Sequence, residues 1–158
     1  MNTASIQEIK KELRTLDADS LQELCMRLTK CKKENKELLN YLLFEAHNEQ
    51  AYIENVKEEL NELFNTVPSS NVYFVKKSLR KILRFANRQI KYSGIKQTEF
   101  EVRIFFCTKM KEAKIPRQSG TVLFNLYQQQ LKKIESAFAK LPEDIRADYE
   151  RELKFILN

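Results

Sequence analysis

Few side chains in this sequence could do chemistry. There is one histidine, His47, and there are three cysteines, Cys25, Cys31 and Cys107. Nucleophilic or general acid–base catalysis needs an activated group beside a positioned partner. A single histidine between two helical stretches supplies no such pair, so its expected role is a polar cap or a surface residue. Cys25 and Cys31 are six residues apart, which turns them about 120° from one another on one helix. An odd count without C-x-x-C predicts reduced, buried thiols. These cysteines and His47 do not supply the four ligands of a zinc site. Glu54, Glu58 and Glu62 recur at i,i+4, but the Glu-x-x-His pairs of a di-metal bundle are missing, so a solvated acidic face is the expectation. No Gly-rich phosphate loop, H-E-x-x-H or G-x-S-x-G occurs. The residues imply no catalytic group, no metal and no cofactor, and they predict a non-enzymatic protein.

The cations carry the stronger signal. On a helical wheel through residues 71–93, Lys76, Lys77, Arg80, Lys81, Arg84, Arg88 and Lys91 fall inside roughly 140°. Val72, Val75, Leu79, Ile82, Leu83, Ala86 and Ile90 occupy an opposing arc, wide enough to form one wall of a core. Phe74, Phe85 and Tyr92 lie at the seam. No acid occurs between Glu62 and Glu99. Like charges at i,i+4 cost a few tenths of a kcal/mol per pair, and glutamates usually relieve that cost on a solvated face. The chain carries a net charge of +6. Residues 1–70 hold 9 basic and 13 acidic side chains, residues 71–118 hold 13 and 3, and residues 119–158 hold 6 and 6. The excess charge is thus confined to the third quarter.

The elements that must position these charges read as helices. With 158 residues, 42% hydrophobic and 32% charged, and only two glycines and three prolines, the chain suits one all-helical domain, 1–158, with a core of its own. No window is apolar enough to span a membrane, and the first residues lack the pattern of a secretory signal, so a cytoplasmic location is expected. Ser5 to Glu8 fits a capping box opening helix one. Asp17 or Asp19 caps helix two, which ends in Lys30-Cys31-Lys32-Lys33. Helix three, about 34–46, is expected to turn Leu38, Leu39, Leu42 and Leu43 inward. Helix four runs from about Glu49 to Asn65. The segment 66–71 breaks the pattern and is a candidate subdomain hinge. Asn71 or Ser70 then caps helix five, and Gly94 suits its left-handed cap. Thr98 to Glu101 reads as a second capping box, opening a sixth helix that is apolar nearly all round. Two further helices follow, the last opening at Pro142-Glu143-Asp144.

Leu13, Leu16, Ser20-Leu21 and Leu24, followed by the lysine cluster, Lys36, Tyr41 and Phe44, resemble the start of a family of small uncharacterised bacterial all-helical proteins. The resemblance covers about the first 45 residues. It implies a helical fold and a bacterial, intracellular setting, and carries no site residues and no activity.

About eight helices with short connections predict an all-α fold, either a compact bundle or a short stack of helical hairpins of the HEAT kind. Two functional readings follow. In one, the cationic face of helix 71–93 meets nucleic acid, with Asn87 among the contacts and Tyr73, Phe74, Phe85 and Tyr92 available for stacking or for the core. In the other, the protein is an interaction module or scaffold pairing this face with an acidic protein, a second copy of itself through the acidic helix four included. Docking on an anionic membrane surface is a weaker third reading.

Overall fold

A computed structural model describes all residues, Met1–Asn158, and every regular element in it is helical. The α-helices are α1 (Ile6–Leu13), α2 (Ala18–Cys31), α3 (Lys33–Asn40), α4 (Glu49–Asn65), α5 (Val72–Ser93), α6 (Lys96–Glu112), α7 (Val122–Phe138), α8 (Glu143–Asp148) and α9 (Glu150–Leu157), with a π-helical turn at Tyr41–Glu45. The chain divides into two compact units, Met1–Leu43 and Phe44–Asn158. The division falls inside the π turn. Residues 66–71, the expected hinge, instead form a connection within the second unit, where α4 packs on α5.

In the first unit the local signals act as their chemistry dictates. Glu8 reaches back to the Ser5 amide at 2.7 Å, while the Glu8 amide donates to Ser5 Oγ at 3.3 Å. Asp17 accepts from the Ser20 amide at 2.9 Å and opens α2. Lys32 is extended, and α3 folds back onto α2 beyond it. Asn35 Nδ2 ties the turn by donating to the Leu28 carbonyl at 2.7 Å. No residue of α1, α2 or α3 is buried. The expectation that Leu38, Leu42 and Leu43 point inward is corrected: all three are exposed, and Tyr41 is buried instead. Leu38 precedes the π turn and Leu42 and Leu43 lie within it, so the leucines before and inside the turn alike lack covering neighbours.

The second unit is built around α6, which packs on α4, α5, α7 and α9. Helices α5 and α7 flank α6 in sequence, but α4 and α9 do not, and packing on both of these suits a bundle and not a stack of consecutive hairpins. Phe100, Val102, Ile104, Phe106, Cys107 and Met110 are all buried, as the all-round apolar pattern predicts. Around them stand Ile53, Val56 and Leu60 of α4, Leu79 and Ile82 of α5, Ile134 of α7 and Ile156 of α9. Phe64 meets Phe106 with ring centroids 5.4 Å apart, and Phe100 touches Phe138 and Tyr149 at 5.5 and 5.1 Å. The closing helix is split in two, α8 and α9, at Tyr149.

The predicted capping box at Thr98–Glu101 is also corrected. Helix α6 begins three residues earlier, at Lys96 with Ile95 as its N-cap, without a side-chain cap. Thr98 is buried inside it, and its hydroxyl and that of Ser93 both donate to Glu49 of α4. No helix is long and apolar enough to cross a membrane.

Candidate anion-binding surface

Helix α5 is fixed in rotation by its apolar stripe. Val75, Leu79, Ile82, Ala86 and Ile90 are buried, so the opposite side faces solvent. Asn71 caps the N-terminus by accepting from the Tyr73 amide at 2.9 Å, and Gly94, at φ 68°, closes the other end in the left-handed conformation. Of the seven cations singled out from the sequence, Lys77, Arg80, Lys81, Arg84 and Lys91 are exposed, and Lys76 and Arg88 are half-buried. Lys76, Lys77, Arg80, Lys81, Arg84 and Lys91 make no ion pair, whereas Arg88 is engaged within the fold. From Lys77 to Lys91 the ridge runs about 21 Å along the helix axis.

The accompanying residues divide. Tyr73 and Phe74 are exposed and stand edge to face, centroids 5.4 Å apart at 75°. Phe85 is half-buried and Tyr92 is buried. Asn87 does not join the cations: its Oδ1 accepts from Arg103 Nη1 at 2.9 Å. Of the cations Lys109, Lys111, Lys114 and Arg117 at and beyond the end of α6, the first two are engaged within the fold and the last two are exposed. Lys109 pairs with Glu112 at 3.3 Å and lies 5.5 Å over the Phe105 ring, while Lys111 donates to the Phe155 carbonyl beside that residue's ring. Arg117 is exposed on the α6–α7 loop.

Beneath this surface runs a buried polar seam along α6 that periodicity does not reveal. Glu101, 1% exposed, accepts from Lys57 Nζ at 2.8 Å and from Gln97 Nε2 at 3.0 Å. Burial opposes its ionisation. Hydrogen bonds from Lys57, Gln97 and Tyr149 outweigh that, and the carboxyl is held below the ordinary glutamate range. Buried Arg103 donates to Glu99 at 3.1 Å and to Asn87 and Gln130 at 2.9 Å each. Burial pushes the Cys107 thiol up to about 12, against a smaller opposing pull from Arg103, and that keeps it protonated and unreactive. The other two cysteines are exposed, contrary to the expectation of buried thiols, because α2, which carries them, buries none of its residues. His47 is exposed after the π turn. No three His, Cys, Asp or Glu side chains gather closely enough to hold a metal ion. Glu54, Glu58 and Glu62 are exposed, and Glu54 pairs with Lys57 at 3.0 Å.

No family model, curated protein or solved structure matches the chain. A functional reading therefore rests on the geometry of α5 and its surroundings.

Proposed function

We propose that this is a non-enzymatic helical binding protein whose α5 docks a polyanion, and that the polyanion is single-stranded nucleic acid. The supporting observation is the row of exposed, unpaired cations on one rigid helix, ending at an exposed aromatic pair. Cations in a row follow a phosphate backbone without reading sequence. Tyr73 and Phe74 add flat surfaces on which any base can stack. An acidic polypeptide would use the cations and leave the two rings idle, which favours nucleic acid. Binding on this reading is strong at low salt and nearly indifferent to sequence.

The test is fluorescence anisotropy with a labelled single-stranded 20-mer over a range of potassium chloride. Five phosphate contacts predict that log K falls with log salt with a slope of about −3.5. Arg80, Lys81 and Arg84 changed together to Glu abolish binding and leave helicity intact, since all three are exposed. Arg88 is left out of this triple because it is half-buried and engaged. No binding at low salt, or undiminished binding by the triple variant, rejects the reading. A salt-sensitive dimer in its place would favour pairing of α5 with the Glu54, Glu58 and Glu62 face of a second copy.

A further inference from the structure

A groove lies where the ends of α4, α5, α6 and α7 meet, and nothing in the reading of α5 as a phosphate-tracking ridge requires it. Its volume is about 640 Å³, within the roughly 300–1,000 Å³ of small-molecule sites. The walls are mainly apolar, from Phe64, Val67, Val72, Val75, Ile115 and Leu123. Val75 and Leu123 are core residues, each 8% exposed, and Phe64 is braced by Phe106. The groove is therefore walled by the rigid interior and not by a loose loop alone.

Its charge is one-sided. Lys76, Lys109 and Arg117 line it against a single acid, Glu112. Glu112 is already held by Lys109 at 3.3 Å, while Lys76 and Arg117 make no ion pair. The N-terminal ends of α5 and α7 and the C-terminal ends of α4 and α6 all border the groove. Their dipoles oppose one another, so the two cations decide the sign. The N-terminal amides are also partly used: Asn71 accepts from the Tyr73 amide and Thr121 from the Phe124 amide. That leaves a poor phosphate cradle and argues against a nucleotide.

The geometry points to a binding site for a free single-chain amphiphile with one anionic headgroup, such as a medium- or long-chain carboxylate. The alkyl chain lies along Phe64, Val75 and Leu123, and the carboxylate is taken by Lys76 and Arg117. A neutral apolar ligand would leave both cations unmatched, and a cationic one would be repelled by them.

Titration calorimetry with sodium dodecanoate below its micellar concentration tests the assignment, with acetate and dodecyltrimethylammonium as controls. One dodecanoate binds per chain, acetate does not bind, and the ammonium analogue binds at least about tenfold more weakly, a difference of about 1.4 kcal/mol. Ala113→Phe, at an exposed position lining the groove, fills it and removes dodecanoate binding. Arg117→Glu weakens dodecanoate about tenfold and leaves oligonucleotide affinity unchanged, because Arg117 is not part of α5. The Arg80, Lys81 and Arg84 triple shows the reverse pattern, so either site can fail without the other. Equal uptake of the two amphiphiles, unsaturable uptake, unchanged binding by Ala113→Phe, or binding seen only with lipid vesicles overturns the assignment.

Discussion

Residues 1–43 and residues 44–158 are both helical and both carry side-chain caps, yet the first unit buries a single apolar side chain, Tyr41, and all the other buried ones belong to the second. In the first, Ile6, Leu28, Leu42 and Leu43 are 85%, 61%, 56% and 61% exposed. In the second, Leu60, Leu79, Phe100 and Phe106 are fully buried. Capping and hydrophobic periodicity place helices in either unit. Enclosure by neighbours on several sides, which α6 has and α2 lacks, is what turns a helix into a source of global stability. The contrast teaches that an amphipathic pattern states which face is apolar and not whether anything covers it.

The contrast can be broken or sharpened by substitution. The largest effect is expected from Phe106→Ala, which empties the centre of the second unit and lowers unfolding free energy by about 3–5 kcal/mol in urea titration. Leu28→Ala, the matching truncation in the first unit, changes it by less than about 0.5 kcal/mol. Equal losses at the two sites would erase the distinction.

Next comes the buried pair. Glu101→Ala removes the buried partner of Lys57, leaves it only the exposed Glu54 at 3.0 Å, and is expected to cost about 3 kcal/mol. The carboxyl of Glu101 is depressed in the folded state, so its contribution is present above the unfolded value of about 4.3 and is lost as pH falls through the folded value. Glu101→Gln should flatten acid unfolding over that window. A variant as acid-sensitive as the parent would show that the pair does not govern it.

A smaller effect separates the caps. Thr121 accepts from the Phe124 amide at 3.2 Å at the start of α7, and Thr121→Ala should cost about 1 kcal/mol of global stability. Ser5→Ala breaks a similar cap on α1, but should speed only the local amide exchange of residues 6–13 and leave the urea midpoint in place. Removing residues 1–43 puts the contrast between whole units to the test. The remaining chain should keep its melting temperature to within a few degrees, since Tyr41 is the one buried apolar side chain that lies outside 44–158. A drop of tens of degrees would show that the first unit stabilises the second.

Much of the fold could be read from residue pattern alone because the relevant forces are local. Helix α4 has the bounds that its pattern predicts, and Asn71 and Gly94 bracket α5 through amide capping and positive φ. The all-round apolar pattern of α6 correctly marks the most enclosed helix. What failed depends on partners distant in sequence. Thr98 and Glu101 look like a cap because polar residues near a helix start usually are, yet Glu49 and Lys57 draw them inward. Asn87 has the right wheel position for the cationic ridge but is claimed by Arg103. Leu38, Leu42 and Leu43 have the right spacing but no element covers them, which no periodicity count foresees. For the candidate surface, the seven cations were visible in advance; which of them stay unpaired was not.

The placement of α6 also bears on how the chain is made. Helix α6 ends at Glu112, and Ile156 of α9, which helps to cover it, follows 44 residues later. At about 5–20 residues per second, the helix with the most buried residues spends roughly 2–9 s outside its final enclosure during synthesis. The buried seam of Glu101 and Arg103 then keeps a newly made α6 from being a wholly greasy rod, and it marks the interval in which a chaperone has the most to hold.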